Sequence, residues 1–420
     1  MGCGLKLYKW LDNIKNSLIL FQCSLTVLWD IMIYNALGKT GLKVSRLGFG
    51  TMRLPTIGSN ENIDEVEATK MFEYAIENGI NIFDTAYMYH NETISGSGNG
   101  EIFLGNFLKE NNLRDEIILQ TKSPSWYIRE KSDFEFYLNE QLEKLQTDYV
   151  DIYMLHSLTA SSWNRLNGLG VLDFLDDCLS SGKVKHVGFS SHTGMDTLTK
   201  ILDEYPKWGV ALTQMNYIDE YYQSGAFGIK YLKQNDVGTM VMEPLRGGRL
   251  INHVPEKVKV WWEISEVKRT PVEWALQYLW NRGDVDCVLS GMSSFEQVKE
   301  NVRYASTEDI ISEYDQEIIK EVSRQYHASS VGNECTKCGY CMPCPNGVDI
   351  VNCFNEYNIA QMLNDPKTSA LQYFSSIDNG SRADSCVDCK ECLPLCTQNL
   401  NIPEELQKVY KYFGSEFNHF

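Results

Sequence analysis

The chain has 420 residues and a formal net charge of −18 at neutral pH. At this length a single ordinary core cannot hold all the residues, so two domains are expected. The strong negative charge argues against nucleic acid and anionic membrane surfaces as partners, because both repel an acidic protein. Such a surface mainly keeps a protein in solution, although it would also suit docking to a basic electron-transfer partner.

Residues 1–31 differ in character from the rest of the chain. The apolar stretch from Leu18 to Trp29 is shorter than the ~20 residues that a membrane-spanning helix needs, and no small-residue cleavage site follows it. We therefore predict an N-terminal extension of doubtful status, or a misassigned start codon, with the functional protein beginning at Met32. A membrane-associating amphipathic segment is the alternative. No other stretch resembles a membrane span, so a cytoplasmic location is expected.

From Val44 to Ala305, short apolar runs alternate with helical patterns at intervals of about 30 residues, which is typical of stacked βα units. The predicted strands are SRLGFG, NIFDTA, EIILQTK, VDIYMLH, KHVGFS, ALTQMNY, GTMVMEP and VDCVLSG, beginning near residues 45, 81, 116, 150, 185, 211, 238 and 285. Eight strands with intervening helices over about 260 residues match the size of a (β/α)8 barrel. A doubly wound sheet is disfavoured, since GFGTMR near Gly48 lacks the third glycine of a G-x-G-x-x-G turn.

The intervening segments carry apolar residues at helical spacing. The predicted helices are Asp64–Asn78, Glu101–Glu110, Asp133–Leu145, Leu172–Ser180, Pro271–Asn281 and Phe295–Tyr304. Thr270 followed by Pro271 suits a helix start. Gly79, Gly182 and Gly283 stand where helix C-terminal caps are expected.

Polar side chains follow the apolar part of several predicted strands. They are Asp84, Lys122, His156, Ser190, Gln214 and Asn216. An ionisable group at the end of an apolar strand is costly to bury without a partner. Because the chemistry of a (β/α)8 barrel lies at the carboxyl ends of its strands, several such residues in register predict an active site there.

Nine of the thirteen cysteines lie between Cys335 and Cys396. They include two runs in which three cysteines at every third position are followed by a fourth, namely Cys335, Cys338, Cys341 and Cys344, then Cys386, Cys389, Cys392 and Cys396. Structural zinc uses CxxC pairs, and disulfide frameworks belong to short secreted chains. The runs resemble those of bacterial ferredoxins, although two residues rather than three separate the last two cysteines of the first run. They predict two 4Fe–4S clusters.

The chain resembles the aldo/keto reductases over residues 33–305, in segments that follow one another in order: NALGKTGLKVSRLGFGTMRLP, FDTAYMYHN, GNGEIFLGNFL, ILQTK, DIYMLH, VGFSSH, QMNY and EPLRGG. The tail, with CTKCGYCMPCPNGVDI, is similar to that of iron–sulfur aldo/keto reductases of anaerobic bacteria and archaea. The resemblance implies an α/β fold, a (β/α)8 TIM barrel over residues 32–306 followed by a small, mainly helical ferredoxin-like domain over residues 307–420.

The same resemblance implies a catalytic tetrad of Asp84, Tyr89, Lys122 and His156. Reduction of a carbonyl by hydride requires a proton for the developing alkoxide, and a phenol supplies it once a neighbouring cation favours its anion. In that scheme Lys122 is the cation, Asp84 orients it, and His156 positions the substrate carbonyl. Tyr87 is a rival for the phenol, but Tyr89 has the family spacing.

The resemblance also implies a nicotinamide cofactor, NADP or NAD, held in extended form across the barrel mouth. Its nicotinamide amide is assigned to Ser190, Ser191, Gln214 and Asn216. The resemblance assigns the segment Glu243–Gly248, with Pro244, Leu245, Arg246 and Gly248, to the pyrophosphate and Met242 to the nicotinamide ring. It assigns Gly291, Ser293, Gln297, Glu300 and Asn301 to the adenine end. Met242 stands where many members of the family stack a Tyr on the nicotinamide ring. Gln297 stands where many place an Arg against the 2′-phosphate, which weakens the inference of NADPH over NADH.

The interval between the cysteine runs carries helical patterns and resembles helical ferredoxin modules. Crossed ligation then implies one cluster on Cys335, Cys338, Cys341 and Cys396, and the other on Cys386, Cys389, Cys392 and Cys344. If each run instead closes on itself, Cys344 and Cys396 exchange places. Cys353 is interpreted as a buried free thiol, with a substitute ligand as the alternative.

The predicted function is NAD(P)H-dependent reduction of a small carbonyl, or the reverse oxidation of an alcohol, with two iron–sulfur clusters and a redox protein partner for electron transfer. One alternative is a non-catalytic nicotinamide-binding redox sensor or electron-transfer subunit, since the barrel does not dictate function. Another is a reductase whose tail binds metal structurally. A nicotinamide delivers two electrons whereas clusters accept one at a time, and no flavin motif is evident, so the sequence leaves open how the two would exchange electrons.

Overall fold

The computed structural model describes residues 32–91, 96–252, 254–328, 332–335, 337, 339–396 and 398–417. The predicted N-terminal extension and its alternative, a membrane-associating segment, lie outside these residues, as does Cys338. Among the described residues, no helix combines the length and the apolar character that crossing a bilayer requires.

The strands form a hairpin followed by a closed barrel. Strands β1 (Tyr34–Ala36) and β2 (Lys43–Ser45) pair antiparallel. The barrel strands are β3 (Leu47–Gly50), β4 (Ile82–Asp84), β5 (Ile118–Ser123), β6 (Val150–Leu158), β7 (Val184–Ser191), β8 (Val210–Gln214), β9 (Gly238–Met242) and β10 (Cys287–Gly291). They follow chain order around the barrel, with β10 returning to β3. All eight predicted strands and the (β/α)8 barrel are confirmed, and the hairpin is an addition that the sequence did not predict.

The strand register places the polar strand ends side by side. Gly50 of β3 lies opposite Asp84 of β4, which in turn lies opposite Gln120 of β5. Lys122 pairs with Met154 in the next ladder. Because these strands are parallel, their carboxyl ends meet at the same rim, as the barrel interpretation predicts.

The helices are α1 (Glu65–Glu77), α2 (Gly100–Glu110), α3 (Lys131–Lys144), α4 (Ala160–Gly168), α5 (Val171–Ser181), α6 (Met195–Glu204), α7 (Gly225–Gln234), α8 (Arg249–Asn252), α9 (Glu256–Ile264), α10 (Pro271–Trp280), α11 (Phe295–Ser306), α12 (Glu313–His327), α13 (Ile350–Leu363), α14 (Pro366–Ser376) and α15 (Ile402–Phe417). The six predicted helices are present with ends shifted by at most two residues. Thr270 caps α10 by accepting a hydrogen bond from the Glu273 amide, and Gly182 closes α5 at φ 77°.

The cap predicted at Gly283 was wrong. Helix α10 ends on Asn281, whose backbone amide donates to the carbonyl oxygens of Gln277 and Leu279. Asn281 keeps right-handed backbone angles (φ −76°, ψ −3°), so this end requires no left-handed glycine.

The residues separate into two compact units. Of the described residues, the first unit comprises those up to Leu212 with those of Tyr231–Met240 and Asp286–Asp309, and the second comprises those of Thr213–Lys230 and Val241–Val285 and those from Ile310 onward. In the first unit, Phe49 of β3 and Phe83 of β4 stack with ring centroids 5.3 Å apart, and Phe72 of α1 meets Phe49 edge-on at 5.0 Å. Aromatic packing of this kind fixes α1 against the strands that carry Asp84.

The second unit contains two apolar clusters. One gathers α9, α10, α12 and α13, with Trp262 stacked on Trp274 at a centroid distance of 4.7 Å. The other lies between α13, α14 and α15 and packs against the cysteine-bearing loops. The described residues after Ser306 form helices and loops, in agreement with the predicted helical character. The ferredoxin-like relationship and the domain boundary after residue 306 stay predictions.

Candidate active site

The carboxylate of Asp84 and the ammonium group of Lys122 form a buried ion pair at the barrel rim. Asp84 ends β4, and its Oδ1 and Oδ2 lie 2.6 and 2.7 Å from Lys122 Nζ on β5. Gln120 Nε2 donates a further hydrogen bond to Asp84 Oδ1 at 2.6 Å. Lys122 is only 1% exposed, so its charge depends on this partner rather than on water.

Lys122 connects the carboxylate to the phenol of Tyr89. Its Nζ lies 3.1 Å from Tyr89 Oη and 2.9 Å from the Thr85 carbonyl oxygen. With Asp84, these acceptors use all three hydrogens that an ammonium group can donate. Lys122 therefore has one orientation, in which its charge lies against the phenolic oxygen.

The loop that carries Tyr89 is fixed by groups that the sequence did not single out. The Gly100 amide donates to the Tyr89 carbonyl oxygen at 3.0 Å, and a Cβ at Gly98 would lie 2.0 Å from that oxygen. His90 is buried with φ 62°, and its ring nitrogens lie 2.8 Å from the Thr51 carbonyl and 3.0 Å from the Asn60 carbonyl. In the sequence, only the segments Gly98-Asn99-Gly100 and His90-Asn91 could have suggested these roles.

His156 lies beside Tyr89 near the end of β6. The two rings are 6.2 Å apart at 81°, and the Trp126 ring lies 5.1 Å from the imidazole. His156 Nδ1 is buried and finds no hydrogen-bond partner among the described residues. Burial, then the charge of Lys122 and the neighbouring His192, lower the pKa of His156 well below its ordinary value. The imidazole is therefore neutral at neutral pH.

The phenol and the ammonium group both have raised pKa values. Burial raises the pKa of Tyr89, and Lys122 opposes this rise without cancelling it. For Lys122, burial opposes the charge, but Asp84 and Tyr89 outweigh it and raise the pKa. Tyr89 is thus a neutral phenol with a fixed cation at its oxygen.

Tyr87, the rival phenol, has a different partner. Its hydroxyl lies 3.1 Å from Glu140 Oε2, and Lys144 Nζ lies 3.9 Å from the centre of its ring. Burial first, and then Glu140, raise the pKa of Tyr87. A phenol that donates its proton to a carboxylate is poorly placed to donate it to a substrate oxygen.

A polar layer lies behind the Lys122 strand, and the sequence analysis missed it. Glu101 is fully buried, and its Oε1 accepts hydrogen bonds from Thr121 Oγ1 at 2.6 Å and from Gln141 Nε2. Gln141 Nε2 also donates to the Lys122 carbonyl oxygen at 3.0 Å. Burial raises the pKa of Glu101. One signal was available, since Glu101 is a lone acid beside the apolar residues of its helix.

In the first unit, the serines assigned to the nicotinamide amide already have protein partners. Ser190 Oγ accepts from the Ser157 amide at 2.8 Å, and Ser191 Oγ lies 3.0 Å from the Leu158 carbonyl oxygen. Both serines lie at the end of β7 and are buried. A ligand would therefore meet hydroxyl groups of fixed orientation.

The residues assigned to the adenine end divide into exposed and buried ones. Gly291, Ser293 and Gln297 are exposed, as is Glu300, and Gln297 Oε1 accepts from the Ser293 amide at 2.9 Å. Asn301 is buried and donates to Ser290 Oγ at 3.1 Å. Asn301 therefore joins α11 to β10, whereas the other four residues are exposed.

In the second unit, a carboxylate that the sequence analysis missed joins three of the assigned residues. Asp219 Oδ2 accepts from Gln214 Nε2 at 3.0 Å and from Asn216 Nδ2 at 2.9 Å. Asp219 Oδ1 lies 2.9 Å from Arg246 Nη1. Arg246 is thus paired within the protein.

The segment assigned to the pyrophosphate forms a tight turn after β9. Four of its residues have positive φ: Glu243 (56°), Arg246 (49°), Gly247 (66°) and Gly248 (90°). Met242 is half-buried, Pro244 is buried, and Leu245 packs on the apolar cluster of the second unit. The turn is thereby attached to that unit through its apolar residues.

The described cysteines of the two runs line two separate cavities. One, of ≈ 320 Å³ including open solvent, is lined by Cys335, Cys341 and Cys396 with Phe354. The other, of ≈ 300 Å³, is lined by Cys344, Cys386, Cys389 and Cys392. Each cavity thus takes its fourth-position cysteine from the opposite run.

Three non-glycine residues in the loops around these cavities have left-handed backbone angles. Lys337, Asp388 and Lys390, which lie between cysteines, have φ of 60°, 56° and 65°. The Lys337 amide lies 3.4 Å from Cys335 Sγ, and the Leu400 amide lies 3.4 Å from Cys396 Sγ. Amides turned toward sulfur favour thiolates, as at iron–sulfur sites.

No three described His, Cys, Asp or Glu side chains are placed to hold one metal ion, and Cys338 lies outside the described residues. A 4Fe–4S cube binds each thiolate at a different iron, so its ligands stand farther apart than those of a single ion. Cys353 is a fully buried thiol 3.9 Å from Tyr373 Oη. Burial raises the pKa of Cys353 to about 12.

Known proteins resemble most of the chain. The model of the Aldo/keto reductase family matches residues 46–324, which end before the first cysteine run. L-galactose dehydrogenase from Arabidopsis thaliana is 31% identical over 313 residues, covering 68% of this chain and 92% of that protein. Oxidoreductase YqkF from Bacillus subtilis is 25% identical over 306 residues, covering 66% and 92%. The holo structure of aldo-keto reductase AKR11C1 from Bacillus halodurans matches with a TM-score of 0.58 and 26% identity, covering 69% and 96%.

Proposed function

The chain belongs to the aldo/keto reductase family, and we propose that it catalyses NAD(P)H-dependent reduction of a small carbonyl compound or the reverse oxidation of an alcohol. One observation carries the proposal. Lys122 Nζ lies within hydrogen-bond distance of both Asp84 and Tyr89 Oη in a buried site. This arrangement presents a phenolic proton beside a fixed positive charge, which is what reduction of a carbonyl oxygen needs.

The bound nicotinamide would supply the hydride to the carbonyl carbon. The protein's own part is the proton, which passes from Tyr89 Oη to the carbonyl oxygen. Lys122 stabilises the phenolate left behind, and Asp84 keeps Lys122 charged and oriented. In the oxidation direction, the same phenolate accepts the proton of the alcohol.

His156 is suited to orient the carbonyl oxygen. It is neutral, so one of its ring nitrogens can donate a hydrogen bond while the other accepts one. With Trp126 it forms an aromatic wall next to Tyr89. That wall favours a carbonyl carried on a small, partly apolar molecule.

Neither NADPH nor NADH is favoured by the assigned 2′-phosphate position. Gln297 is exposed, and its amide oxygen is engaged by the Ser293 amide. No guanidinium stands at this position to pair with a phosphate. We therefore propose that the protein uses either nucleotide, without the preference for NADPH that an Arg at position 297 would give.

The test compares Tyr89→Phe with Tyr87→Phe. Carbonyls are screened anaerobically with NADPH and NADH, and hydride turnover is measured for the wild type and both variants. We expect Tyr89→Phe to slow turnover by about 10²- to 10⁴-fold and Tyr87→Phe to leave it nearly unchanged, because only the Tyr89 hydroxyl contacts the Lys122 ammonium group. If turnover persists in Tyr89→Phe at the wild-type rate, the catalytic proposal is wrong. A wild type that binds a nicotinamide but shows no turnover would favour the sensor alternative.

We further propose that the cysteine runs hold two 4Fe–4S clusters by crossed ligation. One would be bound by Cys335, Cys338, Cys341 and Cys396, and the other by Cys344, Cys386, Cys389 and Cys392. The support is the division of the described cysteines between two cavities and the amides directed at their sulfur atoms. Such clusters would exchange single electrons with a redox protein partner.

Anaerobic purification with iron and sulfide analysis tests the clusters. We expect iron and sulfide in amounts that Cys341→Ala lowers by about half, since one of two clusters is lost. Cys353→Ala is the matched control, because that thiol is buried and lines neither cavity. A colourless protein that contains zinc instead would contradict the iron–sulfur proposal.

A further inference from the structure

Asp219 is a buried acid whose two carboxylate oxygens are both used. It lies just beyond β8 and is 4% exposed. Its Oδ2 accepts from the amides of Gln214 and Asn216, and its Oδ1 pairs with the Arg246 guanidinium. A carboxylate withdrawn from water this far is stable only with such charged and hydrogen-bonded partners.

The partners of Asp219 come from different parts of the chain. Gln214 ends β8, Asn216 lies in the turn that follows, and Arg246 lies in the turn after β9. One rigid side chain thus fixes three groups relative to one another. Without it, each would keep only its own local contacts.

The turn that presents Asp219 is itself ordered by Asn216. Asn216 Oδ1 accepts from the backbone amides of Ile218 and Asp219, both at 3.1 Å. Asn216 Nδ2 donates to Asp219 Oδ2, and it also lies 3.3 Å from the Glu243 carbonyl oxygen. The Asn216 amide therefore has one orientation and one correct assignment of its oxygen and nitrogen.

Arg246 keeps its charge because of its acidic neighbours. Burial opposes the guanidinium charge, but Asp219 and then Glu356 outweigh it, so the pKa of Arg246 is raised. The side chain is 5% exposed and cannot recover hydration if its partner is removed. Loss of Asp219 would leave this cation without its nearest counter-ion.

We infer that Asp219 is a positioning residue for the dinucleotide: it holds two amides and one guanidinium in the arrangement the cofactor meets, without contacting the cofactor itself. The inference rests on the proposed function and on the assignment of Gln214, Asn216 and Arg246 to that cofactor, which the family resemblance implies. A residue with this role should change cofactor affinity more than it changes the fold or the chemical step.

The test is Asp219→Asn in the full-length protein, with NADPH and NADH as the probes. Asn keeps the shape and one acceptor oxygen but removes the charge that pairs with Arg246. Losing a charged hydrogen bond of this kind corresponds to roughly a tenfold or larger rise in Kd. The turnover rate at saturating nucleotide and carbonyl is expected to stay within about threefold of the wild type, because the variant leaves the proton-transfer residues unchanged.

Asp176→Asn is the matched control. Asp176 also accepts hydrogen bonds from a tyrosine and pairs with a cation, Lys207, but it lies on the surface. Its removal should leave the nucleotide Kd unchanged. A general loss of folded protein would lower the number of binding sites without raising Kd.

An unchanged Kd in folded Asp219→Asn overturns the inference. If that variant does not fold, Asp219→Glu replaces it, since Glu keeps the charge but displaces both oxygens by one methylene. An unchanged Kd there overturns the inference equally. Failure of the proposed function looks different: the wild type itself would then bind neither NADPH nor NADH.

Discussion

Lys122→Met is the substitution that most directly tests the proton-transfer site. Methionine is an unbranched side chain of similar length, so the barrel rim keeps its packing while the charge is removed. Lys122 Nζ lies 3.1 Å from Tyr89 Oη, and this contact brings a full positive charge against the phenol. We expect the substitution to slow hydride turnover strongly and to leave nucleotide binding nearly unchanged.

The size of the effect follows from that distance. At 3.1 Å and an effective dielectric constant of about 20, a full phenolate charge would gain roughly 5 kcal/mol from Lys122. If about half of the charge has developed in the transition state, the loss is roughly 2.5 kcal/mol, or about 70-fold in rate. Asp84, left without its partner, opposes the phenolate and enlarges the loss. We therefore expect a decrease of about 10²- to 10³-fold, within the range of positioned proton transfer.

The assay is anaerobic single-turnover oxidation of bound nicotinamide, so that product release does not limit the rate. Lys183→Met is the matched control, because the Lys183–Glu135 ion pair lies at the protein surface. The double variant Lys122→Met, Tyr89→Phe should be hardly slower than Tyr89→Phe alone, since both changes remove the same proton step. A Lys122→Met rate within fivefold of the wild type, or fully additive effects, would refute the reasoning.

The remaining predictions concern pH, ligation and stability. The pKa of His156 is lowered, so kcat/KM should show no step near pH 6.5, which a pH profile with an inert buffer series checks. Cys396→Ala combined with Cys341→Ala should lose no more iron than either alone, because crossed ligation puts both on one cluster; loss of all iron in the double variant would mean that each run closes on itself. Phe72→Ala should lower the free energy of unfolding by about 3–5 kcal/mol in denaturant titrations, since Phe72 is fully buried. The exposed Phe136 is its control, and Phe136→Ala should change that free energy by no more than about 0.5 kcal/mol.

The barrel could be predicted because each of its strands has a local apolar pattern in the sequence. Each strand contains a short apolar run, several carry a polar residue near their carboxyl end, and the repeat of these runs sets the number of strands. The helices with sharp boundary signals, such as Thr270-Pro271 at the start of α10, were placed to within two residues. The Gly283 cap failed because a helix can also end on a right-handed residue such as Asn281.

The candidate site was only partly predictable, because pairings between distant segments leave no local pattern. Asp84 and Lys122 end neighbouring strands, and the barrel register alone brings them together. Asp219 does not lie at the end of a strand but in the turn after β8, so the barrel register does not indicate its partners. Its contact with Arg246 spans residues that are far apart in the chain, and only the folded second unit shows it.

Within the second unit, three contacts join the cysteine-bearing segment to the parts of the chain that flank Asp219 and Arg246. Asn355 of α13 donates to Tyr222 Oη at 3.1 Å, and Arg249 lies 3.0 Å from Ser369 Oγ of α14. Lys337, between two cysteines, lies 4.5 Å from the centre of the Tyr222 ring. These contacts attach the segment to the turns that hold Asp219 and Arg246. Under the proposed function, the segment therefore supports dinucleotide binding through packing and hydrogen bonds, even if no electron passes directly between the proposed nicotinamide and the proposed clusters. A two-electron carrier and one-electron centres can then share a protein without a flavin between them.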